Sequence, residues 1–235
     1  MASTAASADT SRDAEITAAD FRRARRPEQK EQRREAILNA ARELAVEQGV
    51  GAVSLGQVAA RVGLAKSNVL RYFGTREEIY LQLQERELRD WRRALVARIA
   101  AAPPERDAVA AAFAAEFAAR PLMCDLQANV SLVLERNVSL ETVRTFKLAI
   151  TGDIADIGAA LAARLPAISE ADGGELVGVA LTHAAATWPM AHLPDDVMEL
   201  LDTPDMCHAK VDFEPRMRRV VNVLLAGYLT LPGDA

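Results

Sequence analysis

The chain has 235 residues, half of them apolar, 26% charged and 5% aromatic, which is enough to bury a real core and excludes wholesale disorder. Its 46 alanines, set among Leu, Arg, Glu and Val with only 10 Pro and 12 Gly, favour helix and starve β-sheet, so an all-α protein is expected. The net charge of −5 is unevenly placed, −3 over residues 1–21, +7 over 22–76 and −9 over 77–235, which marks a segment suited to phosphates joined to a body with another task.

Residues 1–20 are mostly Ala, Ser, Thr and Asp and should be disordered, because they bury too little to offset ordering. Arg22, Arg23, Arg25 and Arg26 then precede Pro27; they read either as a basic arm for DNA phosphates and the minor groove or as a soluble tail. From Glu28 to Gln48 the positions Ile37, Ala41, Leu44 and Gln48 step by four, three and four before Gly49, predicting an amphipathic helix with a permissive stop. Ser54 stands at an N-cap, and Leu55, Val58, Ala59 and Val62 predict a short second helix closed by Gly63.

Ala59, Gly63 and Val69 form the tightest pattern in the chain. A helix-turn-helix needs a small residue where its helices cross, a residue tolerant of positive φ in the turn, and a branched apolar anchor on the second helix. These three residues fit those roles, and Thr75 with Glu78 then reads as a capping box opening the next helix.

That long helix runs from Thr75 to Ala101 with Leu81, Leu88, Trp91, Leu95 and Ile99 inward, on the order of 40 Å at the α-helical rise. Pro103 and Pro104 end it, a short helix with Val109, Phe113 and Phe117 follows, and Pro121 breaks the chain. Ser139 caps a helix whose Val143, Phe146, Ile150, Ile154, Ile157, Leu161 and Leu165 make one apolar face. Past Asp172, Gly173 and Gly174 the sequence predicts a helix from Glu175 to Met190, and a last one over 214–230 opened by Pro215.

The stretch from Ile37 to Leu81 closely resembles the DNA-binding domain of TetR-family transcriptional regulators. The first-helix pattern, the Ser54 cap, Val58 with Ala59, Gly63, Tyr72 with Phe73, and the charged start of the next helix all fall in register. Ala65 replaces the family's usual Ser cap, Leu70 a Tyr, and Ala45 and Val50 aromatic residues; with Ala65 unable to cap, the recognition helix is expected to start later, with Ser67 capping. The resemblance implies an N-terminal three-helix helix-turn-helix domain followed by a larger helical ligand-binding and dimerisation domain. The expected boundaries are a tail and arm over 1–26, a DNA-binding domain over 27–74 and a body over 75–235.

In a recognition helix from Lys66 to Phe73, Val69 and Phe73 face inward. Arg71 can pair with guanine and Asn68 with adenine or simply with phosphate, Leu70 can touch a thymine methyl, and Ser67 lies beside them. Ser54, Gln57, Lys66, Tyr72, Thr75 and Arg76 are expected on phosphates. The resemblance further implies a homodimer, through helices 175–190 and 214–230, on a palindromic operator in double-stranded DNA. It also implies a small-molecule pocket, for which Phe113, Phe117, Met123, Leu126, Gln127, Val130, Phe146, His183 and Trp188 are candidates, each with plain core as its alternative.

The expected function is a repressor released by an inducer; the alternatives are a metal- or redox-responsive regulator, or an activator on the same scaffold. Metal sensing would draw on Cys207, His208 and Asp205 or Asp212, and a redox switch on Cys124. The chain carries no phosphate-cradling glycine motif, nucleophile elbow or zinc-protease helix, so neither catalysis nor a cofactor is expected. Two cysteines make no disulfide framework and no apolar leader opens the sequence, which predicts a reducing cytoplasm. The uncharged run from Leu176 to Pro194 carries His183, Pro189 and His192 and reads as a buried helix, with no membrane partner.

Overall fold

A computed structural model describes residues 18–230, with side chains from residue 28 onward. Every regular element among them is helical: α1 (Ala18–Gln48), α2 (Leu55–Arg61), α3 (Lys66–Val69), α4 (Arg76–Ala101), α5 (Arg106–Ala118), α6 (Pro121–Asn129), α7 (Leu140–Arg164), α8 (Glu170–Ala191), α9 (Asp195–Leu201) and α10 (Phe213–Thr230). Residues 1–17, where a disordered tail is expected, lie outside the described residues, as do the side chains of the arm at 22–26. The arm's backbone is the start of α1, well ahead of the predicted Glu28 and through Pro27. Ala, Arg, Gln and Glu hold a helix by intrinsic preference without an apolar stripe, so periodicity does not report it.

The chain divides into one compact unit ending at Ala36 and another beginning at Ile37. In the first, Arg34 pairs with Glu31 at 4.0 Å, one turn apart.

The second unit holds two apolar clusters. One gathers Ile37, Leu44, Val58, Val69, Phe73, Ile79 and Tyr80 with Leu122, Leu126, Val130 and Phe146, so α6 and α7 complete the core on which the helix-turn-helix rests. The other packs Leu88, Trp91, Leu95 and Ile99 against α5, α7, α8 and α10, with the Trp91 and Phe117 rings 4.9 Å apart. The long helix α4 carries both: its first turns lie in one core and its last in the other. Each fully buried large side chain contributes about 1.5–3 kcal/mol.

Two predicted boundaries move for identifiable reasons. Pro121 starts α6 as well as ending the preceding segment, because its missing N–H falls where a first helical turn has no acceptor to offer. Asp172, Gly173 and Gly174 lie inside α8, whose cap is Ser169 accepting the Asp172 N–H at 3.1 Å. The glycines serve contact with α7 rather than a turn: a Cβ on Gly158 would meet the Glu170 carbonyl oxygen at 2.6 Å and the Gly174 nitrogen at 2.8 Å. After α6 the chain passes through a π-helical segment, Val130–Leu134, and a 3-10 turn, Glu135–Asn137. Ser139 then caps α7 by accepting the Thr142 N–H at 3.1 Å.

Candidate nucleic-acid interface

The helix-turn-helix is assembled by local hydrogen bonding. The Ser54 hydroxyl accepts from the Gln57 N–H at 3.3 Å while the Ser54 N–H donates to Gln57 Oε1 at 2.8 Å, a reciprocal capping box that fixes the start of α2. Gln57 Nε2 donates to Gln48 Oε1 at 2.9 Å, joining α2 to the end of α1. At the turn, Gly63 has φ +66°, and Leu64 N–H donates to the Ala59 carbonyl at 2.9 Å. That left-handed residue closes α2 as glycine does at a helix end. Ala59 and Val69 are buried at the contact.

Helix α3 begins at Lys66, with Ala65 at its cap position making no side-chain cap bond. The shift to a Ser67 cap is therefore not what the structure has: Ala65 keeps the extended backbone of a cap without its hydrogen bond. Regular α-helix stops at Val69 rather than Phe73. The amides of Leu70, Tyr72 and Phe73 nevertheless bond back to Lys66 and Val69, tightening the last turn as helix ends commonly do.

Around buried Val69, the side chains of Lys66, Ser67, Asn68, Leu70 and Arg71 are all exposed, while Tyr72 is half-buried and Phe73 buried. The cations nearby divide sharply. Arg61 is paired with Glu43 and Glu47, and its bond to Glu47 holds that carboxyl below its ordinary value. Arg42 is paired with Glu87 at 3.0 Å. Lys66 and Arg71 have no ion pair among the described residues, so the recognition segment presents the charges left for an external anion. Gly56, which the sequence reading passed over, lets Lys66 lie across the first turn of α2: a Cβ there would meet Lys66 Cε at 2.6 Å.

Thr75 caps α4 by accepting the Glu78 N–H at 3.0 Å, and Glu78 Oε2 reaches back to the Gly74 N–H at 2.7 Å. This is one residue beyond the reciprocal bond of the expected box. Arg76, expected on phosphate, is turned inward. Its guanidinium donates to the carbonyls of Val53, at 2.5 Å, and Val50, pairs with Glu77 and lies 4.7 Å over the Tyr80 ring. A phosphate contact would have to give up those bonds, with which the side chain braces the α1–α2 loop in this structure. The same loop is held from α6, where Asp125 Oδ2 accepts the Val50 N–H at 2.7 Å. Asp125 and Val50 are 75 positions apart, and no local pattern announces the pair.

In the body, the nine pocket candidates separate. Phe113, Phe117, Met123 and Trp188 belong to one cluster and Leu126, Val130 and Phe146 to the other. Gln127 accepts from Gln84 Nε2 at 2.7 Å. His183 is half-buried, shares a hydrogen bond with Thr187 at 3.1 Å, and has its pKa lowered by desolvation and then by Arg216. The inner side of α4 supplies polar atoms that sequence reasoning missed. Tyr80 Oη, Gln84 Oε1 and Trp91 Nε1 are buried with no hydrogen-bond partner among the described residues, and burial pushes the Tyr80 hydroxyl up to about 12. Such atoms are costly unless water or a ligand satisfies them.

Among the described residues no cluster of three or more His, Cys, Asp or Glu side chains could hold a metal ion, and no helix is long and apolar enough to cross a membrane. Cys207 is exposed; Cys124 is buried, and burial raises its thiol to about 12.

Residues 37–83 match the family model of bacterial regulatory proteins of the tetR family. Residues 85–232 match that of a tetracyclin repressor-like C-terminal domain. Among solved structures, the chain is similar to FadR of Thermus thermophilus, a TetR-family transcriptional repressor in complex with lauroyl-CoA, with 17% identity, TM-score 0.54, and 86% of this chain and 97% of that one covered. It is similar also to the fatty acid degradation regulator FadR of Bacillus halodurans, at 14% and 0.54 with 82% and 94% covered. A TetR/AcrR-family regulator of Thermobifida fusca follows at 18% and 0.51, with 84% and 98% covered. At these identities the likeness is one of fold. No curated protein matches the chain.

Proposed function

The chain belongs to the tetR family of bacterial transcriptional regulators, and on that premise we propose that it is a repressor that binds a palindromic operator as a homodimer and is released by a small molecule. The observation that carries this reading is the exposed set Lys66, Ser67, Asn68, Leu70 and Arg71 around the buried anchor Val69. In it, Arg71 pairs with guanine, Asn68 with adenine, Leu70 meets a thymine methyl and Ser67 reads an adjacent edge. Lys66, Tyr72, Ser54, Gln57 and Thr75 fix register on phosphates, with Arg76 holding the loop from within. Residues 27–74 carry DNA binding, and 75–235 carry ligand binding and dimerisation.

So short a recognition segment offers little discrimination alone, and a two-fold pair on a palindrome supplies the rest. The exposed apolar residues Val179 and Met190 of α8 and Val223 of α10 favour those helices as the dimer contact, since buried self-complementary apolar faces are what such interfaces use. The unpartnered Tyr80, Gln84 and Trp91 atoms on α4 favour a body ligand with polar groups among apolar walls; the Thermus protein is itself found in complex with a small molecule, lauroyl-CoA. Because α4 and α6 also hold Val50, a ligand that shifts them biases the DNA-binding geometry, typically by about 1–3 kcal/mol.

Sedimentation of the full chain, alone and with duplex, tests the assembly. A dimer in both states is expected; a monomer that binds DNA singly would overturn the dimeric reading.

A further inference from the structure

Under the α1–α2 loop lies a cavity of about 340 Å³ formed by the end of α1, the start of α6 and the end of α8. Its size falls within the range of small-molecule sites. Of the body pocket candidates only Trp188 touches it. Ala45, Val46 and Leu122 give apolar wall, and the polar chemistry comes from Asp125, Trp188 and His192.

That chemistry is one-sided. The Trp188 and His192 rings stack with centroids 3.6 Å apart and planes 25° apart. His192 Nδ1 donates to the Trp188 carbonyl at 2.9 Å, which fixes the ring's orientation beside Trp188. Asp125 uses Oδ2 for Val50, and Oδ1 has no partner among the described residues. No Lys or Arg lines the cavity. It thus presents a negative charge with an unpartnered carboxylate oxygen, an aromatic pair and apolar wall, and its complement is a flat ring bearing a cationic N–H donor.

We propose that this cavity is a binding site for flat aromatic cations of the amidinium or protonated-amine type, with Asp125 receiving the charged N–H groups and the aromatic ring lying beside the stacked Trp188–His192 pair. An occupant would lie against the carboxylate that tethers Val50, and so beside the α1–α2 loop of the DNA-binding segment. The proposal concerns binding alone and its test uses no DNA, so its failure is separable from failure of the operator reading.

Calorimetric titration of the full chain with 2-naphthamidine and its neutral isostere 2-naphthamide tests it. The amidine should bind one per chain, at least about tenfold more tightly than the amide, because the charge-assisted bond distinguishes them. Asp125→Asn keeps an acceptor for Val50 and should bring the amidine down to the amide's affinity. Val46→Trp, at a position 64% exposed on the cavity's edge, should abolish binding of both without disturbing the core. Equal affinity for the two compounds, amidine binding indifferent to both substitutions, or no amidine binding to the unsubstituted chain would each overturn the proposal.

Discussion

Asp125 and Arg76 grip one residue from two sides: Asp125 accepts the Val50 N–H at 2.7 Å and Arg76 donates to the Val50 carbonyl. One comes from α6 and the other from the first turn of α4, so the loop entering the helix-turn-helix is fixed by the two body helices nearest it. Asp125→Ala leaves the Val50 N–H without its acceptor and should cost about 1–3 kcal/mol, read as a lower Tm. Asp125→Asn should lose clearly less. Equal losses would mean that the carboxylate charge, not the hydrogen bond, holds the loop.

Arg76 and Lys66 separate a brace from a phosphate contact. Lys66→Ala should weaken binding to all duplexes alike and reduce the salt slope by about 1. Arg76→Ala should lower Tm and weaken DNA binding while leaving the salt slope as it was. A slope reduced by Arg76→Ala to the same extent would show its guanidinium on phosphate after all.

Arg71→Ala should cost about 1–3 kcal/mol at the preferred site and relax one base position. Competition binding against duplexes altered one position at a time reads this. An equal loss at every sequence would remove Arg71 from base recognition.

Gly158 and Gly178 predict opposite signs for one substitution. Gly158→Ala forces a methyl against the backbone of α8 at 2.6 Å and should destabilise by about 1–3 kcal/mol. Gly178 sits mid-helix with nothing within 4 Å of where a Cβ would lie, and Gly178→Ala should stabilise by about 0.5–1 kcal/mol. Thermal melts of the two variants check the pair.

His183 titrates below its ordinary value because burial disfavours its charged form. Its contribution is therefore full above the unfolded pKa near 6.5 and is lost as pH falls through the lower folded value. Stability of the unsubstituted chain minus that of His183→Gln, followed by denaturant unfolding, should decline as pH falls from about 6.5 toward the lower folded value and level off below it. A flat difference would contradict the assigned direction.

Much of the fold is readable because the deciding signals are local. Ser54, Gly63 and Ser139 act through residues three or four positions away, and the stripe of Phe146, Ile157 and Leu161 repeats at the helical period and is buried. What escaped depends on a distant partner. Gly173 looks like a turn residue until Gly158 is placed against it. Arg76 looks like a solvent or phosphate cation until the Val50 and Val53 carbonyls are beside it. The early start of α1 escaped for another reason: a helix without an apolar stripe leaves no period to detect.

The most direct test of operator recognition is selection of bound duplexes from a random library by the full chain at physiological salt, with the mass of the complex measured alongside. Enrichment of a palindrome occupied by a dimer, lost in Arg71→Ala, is the expected result. Binding only at low salt, with no sequence enriched, would contradict it and leave the exposed Lys66 and Arg71 as parts of a non-specific basic surface.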